Sequence, residues 1–230
     1  MSTTHKDPLI LTVGQIATIW ILSDIAYYIV LPVVGVNLNY NAQPIGIALY
    51  YLLWVCITLL ALSPIFRSWR PFVDGRGTYM MLATMVTVVV VFLAYILPKF
   101  EPIVWAEAWT PPSELLFATS WYFLPKSIEI LLQQLLVAAL TLAFAARGFS
   151  VRTTALWCAL LFGGGHLLLV FGGAPLGYII RFATAATLAG FAFPYLLLRT
   201  ENGFAYSYML HWLYYAATIV LIHTISPYAT

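Results

Sequence analysis

The sequence predicts an all-α, polytopic membrane protein built as a bundle of about seven transmembrane helices. Of its 230 residues, 63% are hydrophobic and only 8% are charged, and the mean hydropathy is +0.93. A soluble domain of this size would carry about 25% charged residues. Long apolar segments recur along the whole chain, and most of the charged residues lie between them. This composition excludes a water-soluble fold.

Segments long enough to cross a membrane are the first elements that the sequence predicts. A helix needs about 20 apolar residues to cross the hydrocarbon core. Seven segments meet this requirement: 9–34, 45–66, 78–98, 125–146, 151–171, 175–198 and 204–225. The first contains Asp24 and lacks a small-residue cleavage signature, so we expect an uncleaved span.

The distribution of Lys and Arg predicts the orientation of these spans. Seven of the ten cationic residues fall on one side of a seven-span arrangement: Lys6, Arg67, Arg70, Arg76, Arg147, Arg152 and Arg199. The positive-inside rule then places the N-terminus in the cytoplasm and the C-terminus outside. The short loops and this charge bias together predict a bacterial-type inner membrane.

One domain, 1–230, is expected, because no linker or internal repeat interrupts the chain. Residues 1–98 would form three accessory spans, and 125–225 a four-helix core. Residues 99–124 are predicted to lie at the membrane surface, since Trp and Tyr concentrate at the headgroup level. Their aromatic residues and prolines are Trp105, Trp109, Trp121, Tyr122, Pro111 and Pro112.

Net charge and cysteine content limit the kinds of binding partner that the sequence predicts. A net charge of +2 is too small for a nucleic-acid-binding surface. Cys56 and Cys158 both lie inside apolar segments, which predicts buried thiols and argues against a disulfide framework or a zinc cluster. The partners that we expect are membrane lipid and either other membrane proteins or a membrane-anchored peptide.

Five ionisable residues lie inside predicted spans: Asp24, Glu129, His166, Arg181 and His211. Such groups cost at least about 2.5–3.5 kcal/mol on insertion scales, so each requires an interior partner or a function. Glu129 and Gln133 are four residues apart and therefore share one helix face. Glu129 is either a structural ion-pair partner of Arg181 or Lys126, or a general base.

The two histidines occupy different local patterns. His166 ends the sequence FGGGH, in which three glycines either admit a closely packed neighbouring helix or leave room beside the imidazole. His211 precedes Tyr215 by four residues, so both side chains project from one helix face. At 1.5 Å per residue, Glu129, His166 and Arg181 lie roughly 7–10 Å below the outer boundary. His211 lies about 10 Å above the inner one, so depth alone favours a Glu129–His166–Arg181 cluster.

Taken together, a Glu on one span, FxxxH on the next and RTENGFAYSYMLHWLYY leading into the last resemble the CPBP family of intramembrane proteases, which includes the type II CAAX prenyl endopeptidases. The likeness covers about residues 125–215. It implies a Glu-activated water, histidines and a final amide that stabilise the oxyanion, and no metal or other cofactor. Phe162 and His166 match FxxxH in full, and His211 matches the histidine of the last motif.

The chain departs from the family pattern at two motifs. The family has two adjacent Glu residues and an Arg in EExxxR, whereas this chain has Glu129 alone, with Gln133 or Gln134 at the Arg position depending on register. Tyr215 stands where Asn or Asp is expected. If the mechanism is kept, Glu129 would activate water, His166 would orient it, and His211 with Tyr215 would stabilise the oxyanion.

These departures leave several functions open. The first is a divergent glutamate-type intramembrane peptidase, and the second is a non-catalytic scaffold or assembly subunit that keeps the fold. A weaker third hypothesis uses His166 or His211 as an axial ligand of haem or chlorophyll. A transporter is the least favoured, because the chain shows no paired half-repeats.

Overall fold

The computed structural model describes residues 9–69, 73, 75–100, 118–172 and 176–225. These residues form helices and connecting turns, and no β-strand occurs among them. The helices are α1 Leu9–Val33, α2 Pro44–Ala61, α3 Ser63–Ser68, α4 Gly75–Lys99, α5 Phe123–Ala146, α6 Val151–His166, α7 Leu176–Arg199 and α8 Gly203–Ile225. A 3-10 segment of one turn, Ser120–Tyr122, precedes α5, and one of two turns, Leu167–Gly172, extends α6.

Six of the described helices are long and apolar enough to cross a membrane: α1, α2, α4, α5, α6 and α7. The protein is therefore an all-helical membrane protein. Helix α8, predicted from the sequence as a seventh span, has 23 residues and is not among the six. Most of the predicted surface segment, 101–117, lies outside the described residues.

Helix α5 occupies the centre of the bundle. It packs against α1, α2, α6, α7 and α8, so the helices of the N-terminal half and of the C-terminal half meet on it. Its side chains are apolar on nearly every face, which is the pattern of a helix surrounded by other helices. Ile130, Leu136 and Ala139, for example, are all buried. The polar side chains on this helix therefore point into the protein interior.

Helices α1 and α4 each widen into a π-helical turn just before a proline. The turn Ala26–Val30 precedes Pro32, and the turn Phe92–Ile96 precedes Pro98. A proline ring collides with the carbonyl of the residue four positions earlier and lacks the N–H that would bond to it. A wider turn relieves this collision while keeping the helix continuous.

Helices α6 and α7 make the closest contact between helices. A Cβ atom at Gly190 would lie 2.6 Å from the Cα of Ala159, and a Cβ at Gly163 would collide with Thr187. Both glycines are therefore required for the approach of the two backbones. Gly164 and Gly165 have nothing within 4 Å of such an atom, so only the first of the three consecutive glycines packs against a helix.

In the connection between α5 and α6, Gly148 ends the first helix and Ser150 caps the second. Gly148 has φ +80°, a conformation that glycine adopts without strain, and its N–H bonds to the carbonyl of Ala145 at 3.0 Å. Ser150 then caps α6 by accepting a bond from the N–H of Thr153 at 3.1 Å. The helices consequently reverse direction within a few residues.

The two cysteines differ in environment. Both are free thiols, with Cys158 buried and Cys56 exposed on the outer face of α2. The prediction that Cys56 is buried was wrong, because an apolar segment in a membrane has a lipid-facing side as well as an interior one.

Candidate functional site

Glu129 lies in a closed polar cluster near the start of α5. Lys126 Nζ and the Tyr40 hydroxyl each lie 2.5 Å from Glu129 Oε2. Gln133 Nε2 donates to Oε1 at 3.1 Å. Both carboxylate oxygens are therefore engaged by donors from the protein itself.

Lys126 is held between this carboxylate and three tyrosine rings. Its Nζ lies 4.6 Å from the ring centroid of Tyr40, 4.7 Å from that of Tyr215 and 5.5 Å from that of Tyr122. Aromatic faces attract a cation electrostatically, and more strongly where water is excluded. The Lys126 side chain is only 8% exposed, so this cage replaces its hydration.

Tyr40 comes from the loop between α1 and α2 and closes the cluster from outside. Its hydroxyl is also hydrogen-bonded to that of Tyr51 at 2.9 Å. Burial, and then the negative charge of Glu129, raises the pKa of Tyr40 well above its ordinary value. The phenol therefore keeps its proton and acts as a donor to Glu129.

A small cavity of about 10 Å³ adjoins Glu129, bounded by Asp24 and Ser23 of α1, Tyr51 of α2 and Gln133 of α5. This volume is about that needed for one water molecule. The buried Gln133 Oε1 has no hydrogen-bond partner among the described residues, which makes this cavity the natural place for a polar occupant.

A second, larger cavity of about 260 Å³ lies between α6, α7 and α8. His166, His211 and Tyr215 all line it, whereas Glu129 does not. The two imidazoles flank the Phe162 ring, with centroids 4.9 Å (His166) and 6.1 Å (His211) from it. His211 and Tyr215 are stacked at 5.7 Å. The structure thus brings three of the four predicted site residues to one cavity.

The hydrogen bonds of the two histidines define opposite tautomers. His166 Nδ1 lies 2.8 Å from the Phe162 carbonyl, which can only accept, so Nδ1 carries the proton and Nε2 is an acceptor. Gln134 Nε2 lies 3.1 Å from His211 Nδ1 and donates to it, so the proton of His211 is on Nε2. The cavity is therefore lined by one imidazole acceptor and one imidazole donor.

Two aromatic side chains separate the cavities. Trp20 lines the small cavity, and its ring lies 5.4 Å from that of Phe162 and 6.1 Å from that of His166, both of which line the large one. Tyr215 lines the large cavity while its ring contacts Lys126. The carboxylate and the histidines consequently occupy neighbouring compartments.

The predicted pairing of Glu129 with Arg181 was wrong. Glu129 pairs with Lys126, the other structural alternative, and Arg181 donates to the Thr218 hydroxyl at 2.8 Å. The membrane depths calculated from sequence position were a poor guide to these contacts. They also separated His211 from His166, whereas both histidines line the large cavity. The Gln134–His211 contact joins α5 and α8.

The sequence analysis missed Tyr40, whereas it named Lys126 as one of two possible ion-pair partners of Glu129 and Gln134 as a match to the Arg position in one register. Tyr40 lies in a loop without periodicity, 89 positions from Glu129, and carries no signal of its role. Lys126 precedes Glu129 by three residues, a spacing that places both on one helix face.

No group of three or more His, Cys, Asp or Glu side chains suited to a metal ion occurs in the described part of the chain. Comparisons with family models, curated proteins and solved structures found no match to this chain.

Proposed function

We propose that this chain is a non-catalytic scaffold or assembly subunit of a larger membrane complex, built on a helical core that resembles that of the CPBP intramembrane proteases. This proposal rests on the hydrogen bonds and the ion pair that surround the Glu129 carboxylate. A carboxylate that activates water needs an oxygen free to accept a proton from it. Here Lys126 and Tyr40 both bond to Oε2 and Gln133 bonds to Oε1, which leaves about one acceptor site on the carboxylate, and the histidines lie in a different compartment.

The outer face of α1 supports a role in assembly. Asp24 is exposed on this helix, about 14 Å from its outer end, at the edge of the small cavity beside Glu129, and it forms no ion pair with any residue that the structure describes. A carboxyl group at this depth without a cationic partner is costly. Gly14 and Ala17 lie exposed on the same side of the helix as Asp24, and small residues permit close helix packing. The occupant that this face fits is a partner transmembrane helix carrying Lys or Arg at the depth of Asp24.

Site-specific photo-crosslinking in intact membranes tests this assignment. A crosslinker at Ala17 should yield one product with a membrane protein that has a basic residue inside a span, whereas one at the exposed Val86 of α4 should not. Asp24→Leu should abolish the Ala17 product, and Gln15→Leu, on the opposite side of α1, should leave it unchanged. Crosslinks to lipid alone, together with a monomer in mild detergent, would refute the proposal.

A second candidate, a glutamate-type intramembrane peptidase, is favoured by the water-sized cavity beside Glu129. In this mechanism Glu129 would activate that water and His166 would orient it, while His211 and Tyr215 would stabilise the oxyanion. For Glu129 and the histidines to act on one substrate, the small and large cavities would have to connect through movement of the Trp20 or Tyr215 side chain. Reconstituted protein should then cleave a membrane-anchored peptide, and Glu129→Gln and His166→Ala should each abolish cleavage. Unchanged cleavage in both variants would exclude it.

The proposal also includes the number of membrane spans and their orientation. We place α8 as a seventh span, the N-terminus in the cytoplasm and the protein in a bacterial inner membrane, because cationic loops then share one side. Alkaline phosphatase fused after Asn39 should be active and fused after Gly148 inactive. The reverse pattern would invert the orientation.

A further inference from the structure

The cavity between α6, α7 and α8 opens toward the hydrocarbon region of the membrane. Leu188 of α7 is 63% exposed and Leu210 of α8 is 52% exposed, and both line this cavity. Leu188 lies near the middle of α7, about 18 Å from its first residue. A molecule that enters here comes from the acyl chains of the bilayer.

The wall of the cavity suits a hydrocarbon chain. Helix α7 presents alanines at 185, 186, 189 and 192, which leave space where larger side chains would fill it. Phe162, Phe182 and Phe193 complete an apolar surface. Sites of this kind bind ligands through apolar walls and take their specificity from a few fixed polar groups.

Besides the hydroxyl-bearing side chains of Tyr214 and Tyr215, two imidazoles line the cavity. His166 offers an acceptor nitrogen and His211, which is only 9% exposed, offers an N–H donor. A group that binds both must donate one hydrogen bond and accept another. A neutral carboxylic acid does so with its two oxygens, whereas an ester can only accept and a carboxylate can only accept.

We propose that this cavity binds a single-chain fatty acid in its protonated form, with the acid O–H donated to His166 Nε2 and the carbonyl oxygen accepting from His211 Nε2. The hydrocarbon chain lies along the alanines of α7, and its end extends out of the cavity into the bilayer between Leu188 and Leu210. This inference does not depend on the scaffold role, because it uses a different face of the molecule.

Photo-crosslinking in nanodiscs tests the site with a defined probe, palmitic acid carrying a diazirine in its chain. We expect crosslinks to map to α7 between Ala185 and Ala192. Unlabelled palmitic acid should compete at least about tenfold better than its methyl ester, because the ester lacks the donor to His166. Equal competition by acid and ester would overturn the proposal.

Separate substitutions test where the hydrocarbon chain and the carboxylic acid group of the fatty acid bind. Ala189→Phe fills the cavity and should abolish labelling, and Ala192→Phe, at a more exposed position, provides a second block that is easier to accommodate. Ala217→Phe on the outside of α8 should have no effect. Labelling that survives both cavity variants in folded protein would refute the site.

His223 supplies a matched control for the head group. Its Nδ1 is bonded to the Ile219 carbonyl at 2.8 Å, as His166 is bonded to that of Phe162, but it lies outside the cavity. His166→Leu should weaken labelling by about tenfold, the value of one hydrogen bond, and His223→Leu should not. Equal effects of the two substitutions would contradict the proposed contact.

Discussion

The ion pair between Lys126 and Glu129 gives the sharpest prediction. Its side chains are 8% and 13% exposed, and the charged atoms lie 2.5 Å apart. With an effective dielectric constant of about 20, the Coulomb attraction at this distance is about 7 kcal/mol before desolvation. Removing one partner of a buried pair leaves the other uncompensated and costs about 3–5 kcal/mol. We expect Lys126→Met and Glu129→Gln each to lower the free energy of unfolding by this amount.

The double variant separates pairing from other effects. Once both charges are gone, no uncompensated charge remains, so the double variant should lose at least about 2 kcal/mol less than the sum of the single variants. Unfolding in mixed micelles with increasing SDS, followed by tryptophan fluorescence, measures these differences. Glu201→Gln, which removes an exposed carboxylate, is the control and should change stability by less than about 0.5 kcal/mol.

Two results would refute this reasoning. Additive single effects, within about 0.5 kcal/mol, would show that Lys126 and Glu129 do not depend on each other. An increase in stability on Glu129→Gln would point to a carboxylate kept for activity at the expense of stability, and would favour the peptidase.

Further substitutions test the packing and the loops, with thermal unfolding in detergent as the measurement. Gly190→Ala should destabilise the protein by at least about 1–3 kcal/mol, because the new methyl would collide with the α6 backbone; Gly164→Ala, which meets open space, should not. Tyr40→Phe should cost about 1.5–3 kcal/mol through the lost bond to a carboxylate, while Tyr95→Phe at an exposed position should be neutral. Gly148→Ala should cost about 1 kcal/mol because of its positive φ. A neutral result for Gly190→Ala or Tyr40→Phe would contradict the contact concerned.

The sequence predicted the helices because the length of an apolar segment directly measures whether it can cross a membrane. The predicted spans 125–146 and 175–198 correspond closely to α5, Phe123–Ala146, and α7, Leu176–Arg199. The short α3 was missed, because the apolar segment 45–66 runs through Leu62, where one helix ends and the next begins. A hydropathy pattern does not register such a break.

The site was predictable only where its contacts are local. Glu129 and Gln133 share a helix face, as their spacing predicts, and His211 and Tyr215 do the same. The role of Tyr40 depends on how a loop folds over the bundle, and no spacing rule reaches across 89 positions. The separation of Glu129 from the histidines depends on the side chain of Trp20, which a linear sequence does not place between them.

The contact between Tyr40 and Glu129 also constrains how the protein is made. During synthesis, Tyr40 leaves the ribosome 89 residues before Glu129 does. At about 5–20 residues per second, Tyr40 is made roughly 4–18 s before its acidic partner exists. During that interval nothing on α5 fastens the loop, and Asp24 is already inserted. The contact that ties the α1–α2 loop to the bundle therefore forms only after α5 has been made.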